Sequence, residues 1–170
     1  MEEMILYEKN NPKMRLAVLE FLENSEACAI AQISADHLDK IFLATICVEN
    51  ERVVGLCALT QNKYMNSELI LAVREGAQGR GIASRIQTKL LEKAFSRQLS
   101  ISLTTYDTVT YRHVIKFYEK FGFILLRKYK NKVLYGHETN RLIFNIKRQF
   151  TFYYVELGRE CKAWIRNFSK

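Results

Sequence analysis

The sequence has no apolar run near the ~20 residues that a membrane-spanning helix needs. It has no C-x-x-C pair, and its four cysteines, Cys28, Cys47, Cys57 and Cys161, are scattered. That spacing supports neither a metal site nor a disulfide framework; reduced thiols in a cytoplasm are the simpler reading. Proline occurs once, and no internal repeat, low-complexity tract or linker interrupts the chain. The opening MEEMILYEKN is acidic and lacks the basic start and apolar centre of a signal peptide, so no leader is expected. Two phosphate-binding signatures are also missing. No Lys-Ser or Lys-Thr follows the glycines, which excludes G-x-x-x-x-G-K-[ST], and Ser84 stands where the last glycine of G-x-G-x-x-G would be.

What is present suits a folded domain. The chain has 170 residues, 48% hydrophobic and 12% aromatic, enough to bury a core, and the composition argues against disorder. The net charge of +8 is uneven. Met1–Val73 holds about 6 Lys/Arg against about 11 Asp/Glu, and Arg74–Lys170 about 20 against about 7. A basic second half is compatible with a polyphosphate ligand, with nucleic acid, or with a solvated face, which is the default.

Local patterns give an element order. Met4-Ile5-Leu6-Tyr7 reads as a short strand, and Asn11-Pro12 as the cap and first position of a helix with Leu16, Leu19, Phe21 and Leu22 on its apolar face. Ser25 opens a second short helix, and Ser34–Lys40 reads as a loop. Ile41–Glu49 and Arg52–Thr60 form a hairpin about Asn50-Glu51; Asn62–Ser67 is a turn and Glu68–Val73 the next strand. A helix follows the glycines, Ser100–Thr105 alternates as a strand, and Tyr111–Phe121 is a helix closed by Gly122. Phe123–Tyr129 and Arg141–Lys147 are two more strands, joined by a basic turn from Lys130 to Asn140. In the tail, Tyr154, Leu157, Cys161, Trp164, Ile165 and Phe168 mark an amphipathic helix. These elements predict an α/β (α+β) fold: a mixed, mostly antiparallel central sheet of six to seven strands with helices on both faces, plus a C-terminal helix. Residues 1–149 would form the domain, and 150–170 an extension packed on it or at a homodimer contact.

The stretch Ser67–Leu91 carries the chemistry. The apolar run Leu69-Ile70-Leu71-Ala72-Val73 leads through Gly76, Gly79 and Gly81 into a helix marked by Ile82, Ile86, Leu90 and Ala94. Such a turn aims backbone N–H groups and the positive helix end at one spot, an anion site suited to phosphate, with Arg80 and Arg85 as added charge. The same glycines also read as a tight turn, and the stretch alone leaves both readings open.

A second motif decides the comparison. Gln78-Gly79-Arg80-Gly81-Ile82-Ala83 fits [QR]-x-x-G-x-[GA], and Tyr118-Glu119-Lys120-Phe121-Gly122-Phe123 fits Tyr-x-x-x-Gly-Phe at a helix end. With a strand between them and a hairpin before them, the chain resembles the GNAT N-acetyltransferase superfamily, which uses acetyl-coenzyme A. The likeness is good over Ile41–Lys147, covers element order only over Met4–Asp39, and is absent over Phe150–Lys170.

The resemblance implies acetyl transfer from acetyl-coenzyme A to a primary amine by direct attack in a ternary complex, without a metal. It implies that N–H groups of Gln78, Gly79, Arg80, Gly81, Ile82 and Ala83, with Ser84 next in the first turn, hold the pyrophosphate. The pantetheine arm would lie along Leu71, Ala72 and Val73, with an N–H near Val73 as oxyanion donor. Tyr118 would be the general acid, against the plainer reading of a core aromatic beside Phe117 and Phe121. Glu68 would be the base, directly or through water, against the plainer reading of an exposed strand-start carboxylate. Tyr106, Asp107 and His113 could relay a proton; His37 and His137, in expected loops, take no role. Where many members carry Asn against the coenzyme arm, this chain has Tyr111, with Arg112 as another phosphate contact. Two other functions stay open. One is acetylation of the amino group of aminoacyl-tRNA, as toxin-like members do, motivated by the basic second half. The other is a non-catalytic coenzyme A-binding module. An amine is the expected partner, with nucleic acid less favoured and no membrane.

Overall fold

The computed structural model describes residues 2–61, 67–137, 149 and 152–161. The chain divides into two compact units, Met1–Leu99 and Ser100–Lys170.

In the first unit four strands, β1 (Glu2–Leu6), β2 (Ile41–Glu49), β3 (Arg52–Gln61) and β4 (Ser67–Val73), lie side by side in that order, each antiparallel to the next. Helix α1 (Pro12–Asn24) starts as its sequence dictates. The Asn11 side chain accepts the N–H groups of Lys13 (3.1 Å) and Met14 (3.2 Å), and Pro12 takes the first helical position, where its missing N–H costs nothing. Helix α2 (Glu26–Ile30) follows after Ser25. The stretch expected as a loop instead holds a 3-10 helix, Ala35–Lys40. Its start is fixed by His37 Nδ1, which accepts the Ser34 N–H at 3.1 Å, a role usually given to Glu or Gln and hence not read from the sequence. The β2–β3 hairpin turns at Asn50 and Glu51, both left-handed (φ +49° and +62°), as a two-residue turn matched to strand twist requires.

Alternation along β3 sorts the helices to opposite faces. Leu56 and Ala58, with Ala44 and Ile46 of β2, share a core with Val18, Phe21 and Leu22 of α1 and Cys28 of α2. Gly55, one position out of phase, faces α3 (Ile82–Ser96), where a Cβ would stand 2.9 Å from Ile82 Cγ2 and 3.3 Å from Ile86 Cδ1. Helix α3 therefore approaches β3 more closely than any side chain there would permit.

The second unit holds β5 (Ile101–Tyr106), a 3-10 turn Val109–Tyr111, α4 (Arg112–Lys120), β6 (Phe123–Tyr129) and β7 (Lys132–His137). Strand β7 lies between β5 and β6, antiparallel to both. Here the sequence expectation needs correction. The strand after β6 begins at Lys132, inside the stretch assigned to a long turn, and the hairpin closes over Lys130-Asn131 with Lys130 at φ +52°. Val133, Leu134 and Tyr135 are buried by neighbours on both edges, a three-residue apolar run too short to signal a strand. The expected strand at Arg141–Lys147 lies outside the described residues, as do most of the Asn62–Ser67 turn and Trp164, Ile165 and Phe168 of the tail.

Residues 152–161 are helical (α5) and pack on the β6–β7 hairpin. Phe152 is buried, and the Glu156 carboxylate meets Lys132 Nζ (3.1 Å) and Arg159 Nη1 (2.6 Å). The Tyr129 hydroxyl donates to Glu160 (2.5 Å), which also pairs with Lys130. The fold is mixed α/β and mostly antiparallel, with seven strands among the described residues. Among the described residues no helix is long and apolar enough to cross a membrane. Cys28, Cys47 and Cys57 are buried free thiols, and Cys161 is exposed.

Gly55→Val would force α3 off β3. The expected loss is about 1–3 kcal/mol, read as a fall in Tm of about 2–4 °C per kcal/mol in thermal unfolding; an unchanged Tm would show that the helix can shift freely.

Candidate active site

The site grows out of the end of β4. The Arg74 N–H donates to Val54 O (2.8 Å), carrying the β3–β4 pairing one residue past the strand. A 3-10 turn, Glu75–Ala77, follows. Gln78 then folds back, its Nε2 donating to Val73 O at 3.1 Å, so the first residue of the glycine motif ties the loop to the strand it left. This function of Gln78 was not foreseen from the sequence. Gly79 and Gly81 sit at φ +75° and +74°, and Gly81 is the cap residue of α3. A Cβ on either would meet nothing within 4 Å. What these positions demand is the left-handed conformation and free outside approach, not room inside the protein.

Arg85 is the first residue of α3 whose N–H reaches a helical acceptor, Gly81 O at 3.2 Å. The N–H groups of Gly79, Arg80, Gly81, Ile82, Ala83 and Ser84 have no main-chain acceptor among the described residues, as expected at a helix start. Gln78 to Gly81 are exposed, as is Ser84. Converging open N–H groups at a positive helix end fit a pyrophosphate.

The loop arginines are engaged elsewhere. Arg80 forks onto Glu49, with Nη1–Oε2 at 3.0 Å and Nη2–Oε1 at 2.8 Å, and also pairs with Glu2. Arg85 Nη2 donates to Glu2 Oε2 at 2.5 Å. Glu2 and Glu49 stand directly opposite each other in the β1–β2 ladder, where two like charges would repel. The hydrogen bond from Arg85 holds the Glu2 carboxyl below its usual range, and that from Arg80 does the same for Glu49. The bond to Glu49 raises the Arg80 guanidinium in turn. Arg80 and Arg85 therefore serve the strand ends, and an anion approaching the loop would meet chiefly main-chain N–H groups.

The remaining expected residues fall as follows. In the first unit, Glu68 is the second residue of β4, half-buried opposite Thr60, whose hydroxyl donates to its carbonyl (3.3 Å). Strand alternation puts Glu68 on the face of Ile70 and Ala72, toward α1 and α2. Leu71 and Val73 are half-buried and Ala72 is buried. In the second unit, Tyr118 is 7% exposed, edge-on to Phe117 (5.4 Å) and Phe123 (5.8 Å). Tyr111 precedes α4 rather than lying within its first turn, and its ring meets Tyr106 at 5.7 Å. Asp107 pairs with Lys128, and His113 is exposed. His137 is not in a loop. It ends β7, buried, with Nε2 3.0 Å from Phe121 O and its ring edge-on to Phe123 (5.3 Å). A Cβ on Gly122, which lies at φ +80°, would stand 3.2 Å from that Nε2, so His137 explains the glycine of Tyr-x-x-x-Gly-Phe as much as helix termination does.

The family model described as Acetyltransferase (GNAT) family matches residues 7–123. The chain belongs to the GNAT acetyltransferase family. Solved structures share the GNAT fold. An acetyltransferase of the GNAT family from Staphylococcus aureus Mu50 gives a TM-score of 0.62 at 17% identity, covering 82% of this chain and 100% of that one. An aminoglycoside 6'-N-acetyltransferase from Enterococcus faecium gives 0.59 at 18% identity, over 82% and 98%. An aminoglycoside 6'-N-acetyltransferase complexed with coenzyme A gives 0.56 at 19% identity, over 82% and 98%. At such identities the likeness is one of fold. Among curated proteins there is no match. The GNAT match spans both the Gly loop and the Tyr118–Phe123 motif.

The carboxylate–arginine cluster gives a pH dependence. Glu2 and Glu49 have folded-state pKa values below their ordinary 4.5. Their contribution is therefore complete above about pH 4.5 and is lost as pH falls through the depressed values. A Glu2→Gln/Glu49→Gln variant should melt slightly below wild type at pH 7 and converge with it in acid. Parallel Tm–pH curves would show that the pairs carry no stability.

Proposed function

We propose that this GNAT protein transfers the acetyl group of acetyl-coenzyme A to a primary amine by direct attack in a ternary complex. The observation that supports it most is the strand–loop–helix of β4 and α3, with two left-handed glycines and six N–H groups that have no main-chain acceptor among the described residues. In this reading the N–H groups of Gly79 to Ser84 receive the pyrophosphate, while Gln78, whose N–H is taken by Glu75 O (3.2 Å), positions the loop. Leu71, Ala72 and Val73 carry the pantetheine arm, and a main-chain N–H near Val73 stabilises the oxyanion. Tyr118 protonates the departing thiolate, and Tyr111 contacts the arm. Residues 1–149 act as the domain and 150–170 as its extension. The protein works in the cytoplasm, without a metal.

Glu68 is the base, with a restriction set by strand length. It lies five residues from Val73, about 17 Å along an extended strand. Direct proton transfer at Val73 is out of reach, so Glu68 acts through ordered water or on an amine held further back along β4.

One observation favours an RNA acceptor as a second reading. Arg112, Lys116 and Lys120 are exposed at helical spacing on α4 and have no ion pair among the described residues. Binding of tRNA that weakens steeply with salt would support acetylation of aminoacyl-tRNA; absence of binding at low salt removes it.

Acetyl-coenzyme A at 100 times its Kd should stabilise the protein by about 2.7 kcal/mol, a rise in Tm of roughly 5–10 °C. No rise at saturation would count against the whole reading, while binding without acetylation of any amine in a broad panel would leave a coenzyme A-binding module. Tyr118→Phe should lower kcat about 100-fold or more with little change in KM for acetyl-coenzyme A. If Tyr118→Phe and Glu68→Gln both leave turnover unchanged, the catalytic assignments are wrong.

A further inference from the structure

Arg74 is the residue by which the chain leaves β4 for the Gly loop. Its guanidinium lies over the ring of Phe21 in α1, 5.5 Å from the ring centre. Its Nε and Nη2 atoms are buried and have no hydrogen-bond partner among the described residues. Those two N–H groups point in parallel from one edge of the guanidinium, the fork that grips a carboxylate with two bonds. The neighbouring carboxylate, Glu75, does not fill it; its Oε1 accepts the Ala27 N–H of α2. A buried guanidinium fork with no hydrogen-bond partner is costly unless an anion completes it.

A second donor waits at the same junction. Ser25 connects α1 to α2; its N–H is taken by Phe21 O (3.1 Å), and its C=O by the Cys28 N–H (3.1 Å). Its hydroxyl is buried against the Cys28 thiol, which it serves as a hydrogen-bond donor, and it has no other partner among the described residues. Burial pushes the Cys28 thiol up to about 11, with the Ser25 hydroxyl and then the charge of Arg74 working against that rise. Arg74 as a whole is half-buried, while the Nε and Nη2 atoms of the fork are themselves closed off.

We propose that Arg74 binds a carboxylate of the acceptor: the amine acetylated by this protein carries a carboxylate, received by the Nε–Nη2 edge of Arg74 with the Ser25 hydroxyl as a further donor. This rests on the reading of the chain as an amine acetyltransferase. The location suits it. Arg74 directly follows Val73, so the group that reads the acceptor adjoins the strand assigned to the thioester arm. It is also separate from the pyrophosphate cradle, which begins five residues further on and uses main-chain donors. An acceptor whose carboxyl is esterified or amidated lacks the group that completes the fork.

Paired amines test it: α- and ω-amino acids against their amides and against plain alkylamines, with acetyl-coenzyme A in excess. Wild type should acetylate the carboxylate-bearing members with kcat/KM at least about 10-fold higher. Arg74→Met and Arg74→Lys should bring that preference near unity through the KM for the amine and not the KM for acetyl-coenzyme A. Arg74→Met should also raise the Tm of the ligand-free protein, because it removes a buried fork without hydrogen-bond partners while keeping the contact with Phe21; an arginine with a merely structural role would lower it. Equal use of both members of each pair by wild type, or a preference that survives Arg74→Met, overturns the proposal. If no amine is acetylated, the transferase reading fails and binding alone decides. Glutarate and acetate at high millimolar concentration should then raise the Tm of wild type but not of Arg74→Met. No shift overturns the site, and a shift with inorganic phosphate but not with carboxylates makes it a free-anion site and overturns the carboxylate assignment.

Discussion

Between Val73 and Ile82 the chain must leave an extended strand, reverse, and enter a helix with its first amides facing out. Only a left-handed backbone at Gly79 and Gly81 allows all three in so few residues. Everything else around the site holds the two ends of that turn still. At one end the Arg74 N–H extends the pairing with Val54, and Gln78 grips Val73 O. At the other, the missing side chain at Gly55 lets the first turn of α3 rest on β3 through Ile82 and Ile86. A helix start held this rigidly can keep its N–H groups unpaired for a ligand, because the cost of leaving them open is covered by packing two residues deeper in the helix.

Two kinds of arginine flank the turn. Arg80 and Arg85 are exposed and fully engaged with Glu2 and Glu49. Their charge is spent on carboxylates that would otherwise face each other across β1 and β2. Arg74 is the opposite case, with its fork enclosed and unmatched. The positive character of the region thus comes from main-chain dipoles at the loop and from one side chain beside the strand, and not from the arginines that the sequence displays most openly.

Much of this was legible from residue types alone. Asn11-Pro12, the Asn50-Glu51 turn, the strand–glycine–helix sequence and Gly122 after α4 are local signals, and local chemistry decided each of them. Failures came where a partner distant in sequence decides. Arg80 meets Glu2 across 78 positions, and no pattern in either segment announces the other. His137 looked like a loop residue because Val133-Leu134-Tyr135 is short; pairing on both edges makes it a strand and brings the imidazole under Gly122. The 3-10 helix at Ala35–Lys40 escaped notice because a histidine does the work of a capping carboxylate. Tyr118 shows the limit from the other side. Its motif marks it out, its burial between Phe117 and Phe123 is what a core aromatic would also show, and only kinetics separates the two roles.

Among the described residues the first strand has a neighbour on one side only, and near its start a carboxylate faces another carboxylate. Arg80 and Arg85 are what make that arrangement tolerable. Because these pairs are exposed, their hold is screened beyond a Debye length of about 8 Å at physiological ionic strength and more strongly in concentrated salt. Rising salt is therefore expected to loosen the edge strand Glu2–Leu6 and the loop arginines together, so that hydrogen exchange at one edge of the sheet would report the electrostatic state of the glycine loop.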